Sequence, residues 1–155
     1  MTTQNRNILC AARVLMALIF LVAGIRKLLA WGATVGYFNK LGIPLPEIAL
    51  ALTVALELGG GIALVLGWRL RLVAGAMGAF TLASALIAHA FWAVEPPQLN
   101  AQLLSFLKNT AMAGGFLLLA YVAEIKRKLD SSQVFRTDSG WPCAVGDRPR
   151  HVPGA

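Results

Sequence analysis

The sequence predicts an all-α integral membrane protein, a four-helix up-down antiparallel bundle in a single domain. Three observations predict it. The chain is 57% hydrophobic and only 14% charged, whereas ordinary soluble domains carry roughly 25% charged residues. Four apolar stretches are each long enough to cross roughly 30 Å of hydrocarbon at 1.5 Å of helix rise per residue. Lys and Arg gather at the ends of those stretches and in the tail, where the positive-inside rule puts them. At 155 residues one domain is expected.

The first stretch, residues 8–25, ends at Arg26-Lys27. It follows Arg6 and so imitates a signal peptide. No clean small-x-small cleavage site follows Ala23-Gly24-Ile25, and it reads as a retained transmembrane helix. Trp31, Val35, Phe38 and Leu41 then recur on one helical face. That face predicts a short amphipathic helix over residues 31–41, lying in the interface. Gly42-Ile43-Pro44-Leu45-Pro46 breaks it. The second transmembrane helix is expected at about 47–68, ended by Arg69 and Arg71, and the third at about 72–92. The fourth is expected at about 103–123, ended by Lys126-Arg127-Lys128. Short links favour antiparallel neighbours. The pairs Gly59/Ala63, Gly75/Ala79 and Ala111/Gly115, each four apart, predict close helix packing in lipid. Residues 1–128 make the transmembrane domain. Residues 129–155, with Asp130-Ser131-Ser132, Asp138-Ser139-Gly140 and three prolines, predict a loosely ordered tail.

Counting Lys and Arg orients the bundle. With the N-terminus inside, Arg6, Arg13, Arg69, Arg71, Lys126, Arg127, Lys128, Arg136, Arg148 and Arg150 are cytoplasmic. Only Arg26, Lys27 and Lys40 fall in outer loops, so both termini are expected in the cytoplasm. The net charge of +7 therefore reads as topology, and no nucleic-acid partner is expected. Cys10 and Cys143 form no Cys-x-x-Cys pair, which argues against a thiol–disulfide oxidoreductase and a structural zinc site. No carboxylate and histidine set has metal spacing, and no metal is expected. His89 is the one intramembrane histidine, too few for a bis-histidine haem. There is no Gly-x-Gly-x-x-Gly, no Walker motif and no evident nucleophile triad. The chain is expected to carry no redox cofactor of its own.

Glu57 is the most informative residue. It lies in a run over 48–67 that is otherwise apolar or small apart from Thr53. A charged group at that depth costs on the order of 2.5–3.5 kcal/mol on insertion scales. Ten residues from Glu47, it lies about 15 Å below the outer boundary. Lys108 is expected about 7–8 Å and His89 about 5 Å below the same boundary. Asn109 adjoins Lys108, and Arg13 approaches from the cytoplasmic side. Lys108, His89 and Arg13 are thus the candidate partners of Glu57. Two readings of this polar core stay open: an ion pair that fixes helix register, or a site for a small polar or amphipathic ligand.

The ordered motifs resemble the DoxX family of small bacterial four-helix membrane proteins. They are Arg13, the run Leu18-Ile19-Phe20-Leu21-Val22-Ala23-Gly24-Ile25 with Lys27, and Gly42-Ile43-Pro44. Glu57-Leu58-Gly59-Gly60 follows, with Gly67 and Arg71, then His89-Ala90-Phe91-Trp92, Phe106-Leu107-Lys108-Asn109 and Gly114-Gly115. The match covers roughly residues 13–122. It implies a place in the bacterial cytoplasmic (inner) membrane and a link to quinone chemistry, as a subunit of a membrane redox or redox-stress system. On that implication quinone is a ligand or substrate. Lys108 and His89 would donate to its oxygens, Glu57 would accept or relay a proton, and Phe91, Trp92 and Phe106 would flank its ring. Enzymatic activity is implied only as a subunit of a quinone-linked oxidoreductase. Two alternatives stand beside this: a non-enzymatic scaffold for a soluble cytoplasmic redox enzyme, and a carrier for a small hydrophobic solute. The lipid bilayer is the expected partner, and homo-oligomerisation stays open.

Overall fold

A computed structural model describes residues 3–132. The expected tail lies outside them from residue 133 onward, and so does Cys143. Among the described residues every regular element is a helix. The order is α1 (Thr3–Leu29), α2 (Trp31–Lys40), α3 (Pro46–Leu66), α4 (Leu70–Ala88), a single 3-10 turn (Phe91–Ala93) and α5 (Pro96–Ser132). Four segments are long and apolar enough to cross a membrane: Gln4–Leu29, Pro46–Leu66, Leu70–Ala93 and Pro96–Leu129.

Local chemistry explains the breaks. Pro46 opens α3, where a missing N–H costs nothing. Gly67 closes α3 with φ +72°, and its N–H and that of Trp68 bond back to Leu64 and Ala63 carbonyls. Several ends differ from the sequence expectation. α1 runs past residue 25 to Leu29, so Arg26 and Lys27 lie in its last turn rather than in an outer loop. α4 stops at Ala88 rather than near Trp92, because the chain turns at His89 and Ala90 and folds Phe91 and Trp92 back onto Phe106 of α5. α5 starts at Pro96 rather than near Leu103, since Pro96 and Pro97 are tolerated in a first turn. It also runs past Ala123, where Glu124 meets Arg127 and Lys128 one turn on.

The helices pack as two pairs, α1 with α3 and α4 with α5, joined along a narrower α3–α4 seam. Ala17 and Phe20 of α1, Leu64 of α3, Ala74 and Met77 of α4, and Phe116 and Leu119 of α5 form the shared core. The Phe20 and Phe116 rings meet at 5.5 Å between centroids. Around this core the outer faces are apolar: Leu15, Leu52 and Leu117 are each at least two-thirds exposed. Such a surface suits lipid, not water.

The small residues that let backbones approach are only partly the expected ones, Ala63 and Gly115 among them. A side chain at Gly59 or Gly75 would meet nothing within 4 Å. The close approaches are at Gly24 and Gly61 between α1 and α3, Gly60 against Met77, and Gly78 against Phe116. Gly115 does face another helix, through Met16.

Candidate functional site

Each transmembrane helix turns one stripe inward, and those stripes decide which polar residues meet. On α1 the stripe is Arg13, Ala17, Phe20, Gly24 and Lys27; on α3 it is Leu50, Val54, Glu57, Gly61 and Leu64. Both alternate steps of four and three, the spacing of one helical face. Gly24 has no side chain, so α3 approaches until Leu58 and the Glu57 Cβ lie against it. One turn along, Lys27 meets the Glu57 carboxylate.

The contact is a two-pronged ion pair. Lys27 Nζ donates to Glu57 Oε1 at 2.7 Å and to Oε2 at 2.9 Å. The Glu57 side chain is 6% exposed and that of Lys27 25%. Glu57 lies eleven residues from Pro46 and nine from Leu66, so about 16 and 14 Å from the two ends of α3. The pair therefore sits near mid-membrane. It still has capacity: a Lys ammonium has a third N–H, and a carboxylate has lone pairs beyond the two used here.

Beside Lys27 the elbow between α1 and α2 opens a groove of about 340 Å³, lined by Ala23, Arg26, Lys27, Ala30 and Thr34. The Thr34 hydroxyl donates to the Ala30 carbonyl at 2.9 Å. The Tyr37 hydroxyl donates to the Ala88 carbonyl at 3.1 Å, tying α2 to the end of α4.

The other expected site residues divide. His89 and Gln102 bond through Nδ1 and Oε1 at 2.9 Å. An amide oxygen can only accept, so Nδ1 carries the proton in this arrangement. Phe91, Trp92 and Phe106 do come together, with centroids 5.0, 5.3 and 5.9 Å apart. They pack edge to face against each other. Asn109 is half-buried on the α5 face that also carries Gln102, Phe106, Ala113 and Phe116.

Lys108 is not in the polar core. It is exposed and, among the described residues, makes no hydrogen bond or ion pair. It falls one position off the inward stripe of α5, and one position turns a helical residue by about 100°. Arg13 is inward but lies at the far end of the pair of helices, its guanidinium against Gly67. None of the expected partners of Glu57 is its partner. Lys27 is, although Arg26-Lys27 also reads as a loop-side stop in the sequence. The signal was available in the four-three spacing from Arg13 through Ala17, Phe20 and Gly24.

At the end of the bundle formed by the α3–α4 turn, a second carboxylate gathers cations. Glu124 accepts from Arg71 at 2.9 Å and from Arg127 at 2.8 and 3.1 Å, with Lys128 3.8 Å away. The arginines are more than half exposed. Beside them Arg69 lies over the exposed Trp68 ring at 5.6 Å.

The DoxX family profile matches residues 8–90, a stretch that holds both members of the Lys27–Glu57 pair. The chain is similar to the Escherichia coli K12 inner membrane protein YphA, with 35% identity over 113 residues, 73% of this chain and 81% of that protein. It is also similar to the inner membrane protein YqjF of the same strain, with 37% identity over 109 residues, 70% of this chain and 78% of that protein. No solved structure matches it.

Proposed function

The chain belongs to the DoxX family, and from that premise we propose that it is an inner-membrane protein whose Lys27–Glu57 centre receives the oxygenated head group of a quinone-type ligand. It would serve as a subunit of a membrane redox or redox-stress system. The observation that carries the reading is an ion pair between buried Glu57 and part-buried Lys27, near mid-membrane, with hydrogen-bonding capacity left on both partners. Ionisable groups inside a membrane are costly and mark functional sites by default. A quinone carbonyl would accept the third Lys27 N–H, and a quinol hydroxyl would donate to Glu57. Glu57 would hold the proton exchanged there, while a partner supplies the electrons. The α1–α2 groove, which has Lys27 in its wall, is the route from the lipid. The names of the two relatives support the inner-membrane location, and the Lys and Arg distribution supports cytoplasmic termini.

The test is titration of the purified full chain with a short-chain quinone. Glu57→Gln and Lys27→Met should each lose binding, while Lys108→Met should bind as wild type. Wild-type affinity in both Glu57→Gln and Lys27→Met would exclude the site.

One observation favours a second reading. α5 carries Lys126, Arg127 and Lys128 beyond the core, with Arg69 and Arg71 alongside, a basic end suited to an acidic soluble partner. In that scaffold reading, Lys126→Glu with Arg127→Glu would release the partner and leave quinone binding unchanged.

A further inference from the structure

The groove at the α1–α2 elbow has an unbalanced charge. Its wall carries two cations, Arg26 and Lys27, and no carboxylate. Glu57 matches Lys27. Arg26 is exposed and, among the described residues, its side chain makes no hydrogen bond or ion pair. Ala23 and Ala30 keep the wall low around it. Thr34, half-buried at the rim, spends its hydroxyl proton on Ala30 and adds no charge.

Depth makes this charge consequential. Arg13 lies level with Gly67, at one end of α3. Arg26 is thirteen residues further along α1, about 20 Å of rise. In hydrocarbon about 30 Å thick, that leaves Arg26 about 10 Å from the opposite boundary. A long guanidinium stem covers most of that distance. A free guanidinium there is poorly hydrated and presents a planar fork of donors that matches phosphate.

We propose that the α1–α2 elbow is a site for a phosphate-bearing anion, gripped by the Arg26 guanidinium. The inference does not depend on the quinone reading, since it follows from the charge of the groove wall alone. The phosphate belongs either to the headgroup of an acidic lipid or to a soluble phosphate compound. Zwitterionic headgroups hold more weakly, because their own ammonium competes for the phosphate.

The test uses the full chain in two arms. In the first, protein is reconstituted in phosphatidylcholine vesicles containing a minority of phosphatidylglycerol, and lipid retained per chain is read by native mass spectrometry. In the second, inorganic phosphate and glycerol 3-phosphate are titrated into delipidated protein in neutral detergent, and the thermal unfolding shift is followed. Arg26→Gln should weaken binding about tenfold or more, the worth of a hydrogen bond to a charged group, and Arg26→Lys should restore part of it. Arg26→Gln should unfold at the wild-type temperature when no anion is added, which separates lost binding from lost folding. Arg26-dependence in the vesicle arm assigns the phosphate to a lipid; Arg26-dependence in the detergent arm assigns it to a soluble compound. Equal binding by wild type and Arg26→Gln in both arms overturns the site.

Discussion

Glu57 and Glu124 are both helix carboxylates paired with cations, and they differ in what surrounds the charge. Glu57 has one partner, Lys27, and is buried near mid-membrane. Glu124 has three, Arg71, Arg127 and Lys128, all well exposed at the end of the bundle. Counting ion pairs would rank Glu124 first. Physics ranks it second, because exposed pairs are screened by water and salt and hold flexible side chains at an entropic cost. A buried pair has no solvent to fall back on, so removing either partner strands a charge. The number of partners matters less than the medium.

That contrast can be broken at several points. The largest effect is expected from Lys27→Met or Glu57→Gln alone. Each should cost on the order of 3 kcal/mol of stability in a detergent unfolding titration, since one buried polar group is left without its match. The double variant Lys27→Met with Glu57→Leu should recover most of that loss, because no stranded charge remains. A smaller effect is expected from Gly24→Val. Its side chain would enter the space held by Leu58 and the Glu57 Cβ, and such overpacking costs about 1–3 kcal/mol. The same unfolding titration reads it. Smaller again is Arg71→Ala, which should melt within error of wild type at physiological salt and differ only at low ionic strength. Lys108→Met should change neither stability nor ligand binding; a loss of either would return Lys108 to the polar core.

The architecture was legible because hydropathy and charge act along the chain: apolar length and terminal Lys and Arg give the four spans directly. The importance of Glu57 was legible for the same reason, as a charge within apolar sequence. Its partner was harder to see. Lys27 adjoins Arg26 and reads as part of a loop-side stop, although its four-three spacing from Gly24, Phe20, Ala17 and Arg13 puts it on the inward stripe. Lys108 shows the opposite case: its depth along α5 suits the polar core, but the face of the helix that carries it is exposed. Gly59 and Gly75 fit a small-residue spacing yet face outward, since spacing alone does not say which way a face turns. The meeting of Phe91, Trp92 and Phe106 depends on the turn after Ala88, which the apolar pattern continuing to Trp92 concealed.

The central claim is that the Lys27–Glu57 pair is a place for a ligand rather than only a strut between α1 and α3. The most direct measurement is quinone binding by the apolar double variant Lys27→Met with Glu57→Leu, which keeps the helix contact and removes the polar groups. The account predicts a folded protein that no longer binds the quinone. A folded double variant that binds as tightly as wild type would contradict it and leave the pair as a strut.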